Sequence, residues 1–231
     1  MKVIKPGYEM LRFNPQEDIW LIERAARNCY KSEDRIGEKS AEGLIRRLVE
    51  SGHEAMLEHS QMSVLFTVDR GVSHEMVRHR LCSFAQESTR YCNYSKDKFG
   101  NEITVIEPVF YKDIPEEEKT VIREVFDNER KEPYDFEVTD LHRRYANWYT
   151  SCTVAESGYF NLLKLGATPQ EARAVLPNSL KTEIVVTANL REWRKIFQLR
   201  TAKDAHPQIV EVMTPLLEEV RRSIPFMFND I

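Results

Sequence analysis

From Met62 to Asp69 the chain reads MSVLFTVD. Met62, Val64, Phe66 and Val68 alternate with Ser63, Leu65, Thr67 and Asp69. A repeat of two predicts a strand buried on one face. Upstream the period lengthens. Asn14-Pro15 offers a cap and a first helical residue, and Ile19, Ile22, Ala26 and Cys29 then recur at helical spacing. The dozen residues before them look extended. A second helix is predicted from about Ser40 to a stop near Gly52, and a short one from about Ser73 to Arg80. EITVIEP is a strand candidate that ends before Pro108. From about Pro115 to Lys164 the pattern is helical and highly charged, broken at Pro133. Gly166 stops one helix and TPQEA opens the next. TEIVVTANL is rich in β-formers, REWRKIFQLR is helical, and a last helix spans about Pro207 to Ser223. Strands and helices mix without regular βαβ alternation. The prediction is an α+β fold: one compact domain over residues 1–231, with a helical elaboration at about 110–165.

Composition narrows the function. An apolar content of 42% in 231 residues supports one substantial core. A net charge of −4 and a pI near 5.9 argue against a nucleic-acid partner, which usually meets a basic face. Mean hydropathy is −0.51, and no apolar run approaches the roughly 18–20 residues of a membrane span. MKVIKPGYEM has no apolar leader core, so no signal peptide is expected. Cys29, Cys82, Cys92 and Cys152 are scattered and form no C-x-x-C pair. They read as reduced thiols of a cytoplasmic protein. The chain has no G-x-G-x-x-G or Walker loop, so a bound nucleotide must be held by side chains.

Against this acidic background one segment stands out. RHRLCSFAQESTRY, Arg78 to Tyr91, holds Arg78, Arg80 and Arg90 with only Glu87 to oppose them. Leu81, Phe84 and Tyr91 interleave as in a packed segment, and Ser83, Gln86, Ser88 and Thr89 add neutral hydrogen-bonding groups. Guanidinium forks match phosphate oxygens, so a phosphorylated small molecule is the expected guest. A second basic stretch holds Arg173, Asn189, Arg191, Lys195 and Arg200. Metal binding fits poorly. His74 and His79 are spaced i, i+5, roughly 140° apart on a helix, and His53 and His59 are spaced i, i+6. Cys82 and Cys92 flank the arginines, where a thiolate nucleophile is conceivable, but small buried hydrophobes are the commoner use.

RHRLCSFAQESTRY resembles the signature of flavin-dependent thymidylate synthases: Arg-His-Arg, seven residues, Ser, then Arg-Tyr after one residue. GHEAMLEH, ARAVLP and TANLREW…LR resemble further blocks of that family, in order, from about His53 to His206. The resemblance implies an α+β homotetramer that makes dTMP from dUMP. Methylenetetrahydrofolate gives the carbon, NADPH the hydride, and FAD mediates, with no cysteine nucleophile. Carried over by position, FAD would be met by His53, Ala55, Arg78, His79, Arg80, Gln86, Asn189, Leu190, Arg191 and Lys195. The dUMP positions are Glu75, Met76, Val77, Arg78, Gln86, Glu87, Ser88, Thr89, Arg90, Arg173 and Arg200. Arg200 matches the residue that polarises the uracil, and Ser88 the signature serine; these two are the catalytic candidates. No metal is implied. Ala85 stands where the family has Asn, Gln86 where Glu is common and Glu75 where Gln is usual, and Lys195 and Ala55 also depart. Two other readings are weaker: a flavin or nucleotide-binding protein that has lost synthase activity, against which the intact Arg200 and Ser88 argue, and an RNA-binding module using the arginine cluster, against which the −4 charge and the lack of an RNA motif argue.

Overall fold

The computed structural model describes residues 1–127 and 134–231. Pro133, where the helical pattern breaks, lies outside the described residues. In chain order the elements are β1 (Lys2–Ile4), β2 (Gly7–Arg12), α1 (Pro15–Tyr30), α2 (Ser40–Glu50), β3 (Met62–Asp69), α3 (Arg70–Met76), β4 (Ser83–Gln86) and β5 (Thr104–Ile106). They continue with α4 (Glu116–Phe126), α5 (Asp140–Lys164), α6 (Pro169–Ala172), β6 (Lys181–Ala188), α7 (Leu190–Arg200), α8 (Pro207–Ser223) and α9 (Pro225–Phe228). Helices and strands follow without βαβ alternation, which is the α+β class the pattern predicts.

Local chemistry sets most boundaries. Asn14 caps α1 by accepting a hydrogen bond from the Glu17 N–H, with Pro15 at the first position. Gly52, just past α2, takes φ +70°, and Gly166, just past α5, takes φ +91°. Both lie in the left-handed region, which costs a glycine nothing. Two expectations need correction. The short helix is Arg70–Met76 and not 73–80. After it the chain turns, with Arg78 N–H donating to the Glu75 carbonyl and His79 N–H to that of Met76, so Arg-His-Arg sits on a turn. Cys29, predicted on the buried face of α1, is exposed in the helix's last turn.

The single domain expected over 1–231 takes the form of two compact units, each discontinuous in sequence. The first comprises Met1–Pro6, Asp69–Gly71 and Glu87–Thr182. Its β1 and β5 pair in parallel, and the expected helical elaboration lies wholly within it, as α4 and α5. Tyr145, Tyr149, Cys152 and Tyr159 form the buried face of α5.

The second unit comprises Gly7–Val68, Val72–Gln86 and Glu183–Ile231. Its sheet has the order β2-β3-β6-β4. Met62, Val64, Phe66 and Val68 of β3 are fully buried, as the alternation requires. They pack with Ile184 and Val186 of β6 and with Trp193, Ile196 and Phe197 of α7. The Trp193 indole N–H donates to the Met62 carbonyl at 3.1 Å. The short β4 pairs antiparallel with β6, Ser83 opposite Thr187 and Gln86 opposite Ile184. The helix α7, which carries Arg191, Lys195 and Arg200, is thus anchored by its apolar face in the core.

Candidate active site

In the second unit α7 is capped by Asn189, whose Oδ1 accepts from the Glu192 N–H at 2.9 Å. Arg200 occupies the last turn of the same helix, and three sides of its guanidinium are engaged. Nη1 donates to Glu75 Oε2 at 2.7 Å, Nη2 to the Glu75 carbonyl at 3.0 Å, and Nε to His79 Nε2 at 2.9 Å. A guanidinium has five N–H groups, so two remain to donate to a ligand. Glu75 stands where the family usually has Gln, and an unpaired carboxylate there would repel a phosphate. Its carboxylate is instead paired with Arg200.

His79 is 6% exposed. Burial first, then the nearby charges of Arg200 and Lys195, depress its pKa from 6.5 to about 4. It is therefore neutral at pH 7. Because Nε2 accepts from Arg200, its proton sits on Nδ1, 3.8 Å from Glu192 Oε1, which is beyond hydrogen-bond reach. Burial and the field of Arg200 win over this distant carboxylate.

Arg78 and Arg80 are exposed. Among the described residues no carboxylate lies within 4 Å of either guanidinium. Gln86 donates from Nε2 to the buried Ser73 hydroxyl at 2.9 Å. A cavity of about 460 Å3 is lined by Tyr30, His53, Ala55, Met56 and Arg191, within the roughly 300–1,000 Å3 of small-molecule sites. Its floor is braced from below. Arg194, buried, donates to Glu54 Oε1 at 2.9 Å and to both oxygens of Asp230. Arg191 also pairs with Glu58 at 2.5 Å. A second, more polar cavity of about 440 Å3 includes Arg12, Asp18, Gln61 and Asn189.

The first unit holds the other candidates. Glu87 accepts from the Tyr94 hydroxyl at 3.2 Å and from Lys181 at 3.0 Å, so it is a structural acceptor. Ser88 Oγ accepts from the Arg90 N–H at 3.3 Å, and Thr89 Oγ1 from Arg173 at 3.2 Å. The Arg90 guanidinium lies 5.4 Å from the Tyr91 ring centre. Among the described residues the Ser88 hydroxyl meets a backbone N–H and not a base that could activate it as a nucleophile.

Two carried-over positions do not present side chains. Met76 is 2% exposed and Leu190 0%, both in the core, and the Leu190 N–H is taken by Ser60 Oγ at 3.1 Å. Val77 is 39% exposed. The thiols are poorly set for nucleophilic work. Burial, then Glu192, pushes Cys82 up to about 12. Burial, then Glu87, raises Cys92, and burial pushes Cys152 up to about 11. Among the described residues no group of three His, Cys, Asp or Glu is placed to hold a metal. No helix there is long and apolar enough to cross a membrane. Sequence reasoning missed Ser73, Glu192 and the Glu54–Arg194–Asp230 brace. None carries a motif, and each acts through a partner distant in sequence.

The sequence model of the thymidylate synthase complementing protein family matches residues 11–226. The chain belongs to the flavin-dependent thymidylate synthase family. Its relatives include the flavin-dependent thymidylate synthase of Mycolicibacterium vanbaalenii, 32% identical over 91% of this chain and 78% of the relative. That of Corynebacterium efficiens is 30% identical over the same shares. Among solved structures, the UMP/dUMP methylase PolB from Streptomyces cacaoi bound with 5-Br dUMP is similar. Its TM-score is 0.74 at 25% identity, over 99% of this chain and 96% of that one. The same enzyme bound with 5-Br UMP gives a TM-score of 0.73 at 22% identity. Membership of this family implies FAD as cofactor. FAD combines a pyrophosphate dianion with flat ring systems. In residue type the exposed Arg78 and Arg80 suit the first, and Tyr30, Ala55 and Met56 of the 460 Å3 cavity the second, so the chemistry of the residues present fits the cofactor.

Proposed function

We propose that this chain converts dUMP to dTMP in the cytoplasm, with FAD as resident cofactor and methylenetetrahydrofolate and NADPH as co-substrates. Family membership supports the reaction class, and a dUMP analogue bound to the similar PolB supports the substrate. The match runs through both compact units, which favours one functional domain. Neither nucleic acid nor membrane is part of the reading.

The observation that carries the mechanism is the Arg200 cluster. C5 of uracil becomes a carbon nucleophile only if negative charge on the ring is stabilised. A pre-oriented cation in a partly buried site does this without reorganising at the moment of reaction. Arg200, 19% exposed at its side chain and held on three sides, keeps two N–H groups for the uracil. By family position the dUMP assignments are Arg78 and Gln86 in the second unit and Ser88, Thr89, Arg90 and Arg173 in the first, residue types that suit a phosphate dianion. Val77 and Glu87 flank that set. His53, Ala55, Arg80, Asn189, Arg191 and Lys195 hold the cofactor, together with His79 at the motif's centre. FAD held by these residues would supply the redox chemistry between NADPH and the one-carbon group. No thiol takes part, in keeping with the raised pKa values of Cys82, Cys92 and Cys152.

The test is direct. Purified protein should carry a flavin spectrum and form dTMP from dUMP, methylenetetrahydrofolate and NADPH. Arg200→Lys should cut turnover strongly while dUMP binding changes less, because the planar fork is lost and the charge kept. A flavin-loaded protein that forms no dTMP refutes the reading.

A further inference from the structure

We infer that Glu75 is a positioning residue for Arg200 and not a ligand of the substrate. The inference rests on the synthase reading above and reassigns Glu75, which the family resemblance places among the dUMP positions. One residue occupies two corners of the guanidinium: its carboxylate Oε2 takes Nη1 at 2.7 Å and its own backbone carbonyl takes Nη2 at 3.0 Å. His79 Nε2 closes the third side at 2.9 Å. Three acceptors around a planar group fix both its position and its plane. A long arginine side chain otherwise carries rotamer entropy that must be lost when it meets a transition state. Here that ordering is complete before any ligand arrives.

The alternative is that Glu75 binds dUMP itself. An ionised carboxylate only accepts hydrogen bonds, and it repels a phosphate dianion. Its Oε2 is already committed to Arg200. The side chain is 30% exposed, so it is accessible, but its charge suits the cation beside it better than the anion proposed as substrate. The hold depends on an oxygen acceptor at the right distance, and an amide oxygen supplies the same geometry. This predicts a graded series: Glu75→Ala removes the acceptor, and Glu75→Gln keeps it.

The experiment measures kcat for dTMP formation, the dUMP dissociation constant and thermal stability for wild type, Glu75→Ala and Glu75→Gln, each alone and with Arg200→Lys. Folding and flavin content are checked first, and Glu75→Gln serves if Glu75→Ala does not fold. The expected result for Glu75→Ala is a fall in kcat of about tenfold or more, the scale of one charge-assisted hydrogen bond, with less than about a twofold change in dUMP affinity. Glu75→Gln should recover most of the turnover. With Arg200→Lys present, the Glu75 substitutions should add little, since the group they position is gone. Loss of dUMP affinity in step with activity makes Glu75 a substrate ligand and overturns the inference. So does unchanged kcat in Glu75→Ala, full additivity with Arg200→Lys, or a Glu75→Gln variant as impaired as Glu75→Ala. Inactive wild type would refute the synthase reading instead, so the two failures are distinct.

Discussion

At the scale of single residues, His79 and the cysteines make checkable statements. His79 is nearly buried, with its pKa held near 4 against 6.5 in an exposed histidine. In the unfolded chain the imidazole gains a proton as pH falls through 6.5, whereas the folded protein resists until about 4. The stability this contributes is complete above pH 6.5 and drains away between 6.5 and 4, by roughly 2–4 kcal/mol at most. Thermal melts across that range should show a loss that is smaller in His79→Gln, which keeps an acceptor but cannot titrate. Equal pH dependence in both proteins would contradict the assignment. The cysteines make the complementary case. A synthase that used a thiolate would lose its chemistry without the sulfur. A variant with Cys29, Cys82, Cys92 and Cys152 all changed to Ala or Ser should keep appreciable dTMP formation once folded and flavin-loaded. The expected cost is stability, roughly 1 kcal/mol per buried site. If activity vanishes and returns with Cys82 or Cys92 alone, a thiol mechanism operates.

At the scale of elements, α7 matters most, because one helix carries Arg191, Lys195 and Arg200 at defined rotations. Its apolar residues Trp193, Ile196 and Phe197 are buried, which fixes the helix against the sheet, and its first turn is fixed by the Asn189 cap. Asn189 therefore has a structural role beside the cofactor role proposed for it. Asn189→Ala should cost about 1 kcal/mol. In a protein of this size that lowers the melting temperature by about 2–4 °C. Asn189→Asp, which keeps a capping oxygen, should restore the stability. Scanning calorimetry of the two variants decides it, and a melting point unmoved by Asn189→Ala would remove the cap from the account.

At the scale of the whole molecule, Arg78 and Arg80, exposed and without a carboxylate within 4 Å among the described residues, predict ligand-dependent stability. On the synthase reading FAD and dUMP bind the folded state, so each should raise the melting temperature, by the equivalent of about 2.7 kcal/mol at a hundred times its dissociation constant. A scan without any shift under saturating FAD runs against the proposal. The synthase reading also carries a homotetramer. Sedimentation in the presence of FAD should give four times the 27.1 kDa protomer, and a protomer-sized species would remove the tetramer from it.

Helix and strand positions were largely legible from periodicity and capping chemistry, because both are local. The alternation of MSVLFTVD and the Asn14-Pro15 start each appear where the residues call for them. The family blocks were legible too, since a ligand needs particular side chains in order. What could not be read was anything that joins distant segments. The four residues of β4 are too few for a period to register, and they become a strand only by pairing with β6. Arg-His-Arg looked helical because its residues tolerate a helix, but α3 ends at Met76 and the motif turns. Glu75 and Arg200 are 125 residues apart, and the charge of each is visible in the sequence while their pairing is not. The burial that keeps His79 neutral likewise comes from packing around it, so the sequence determined which chemistry was present and only the tertiary structure decided which groups restrain one another.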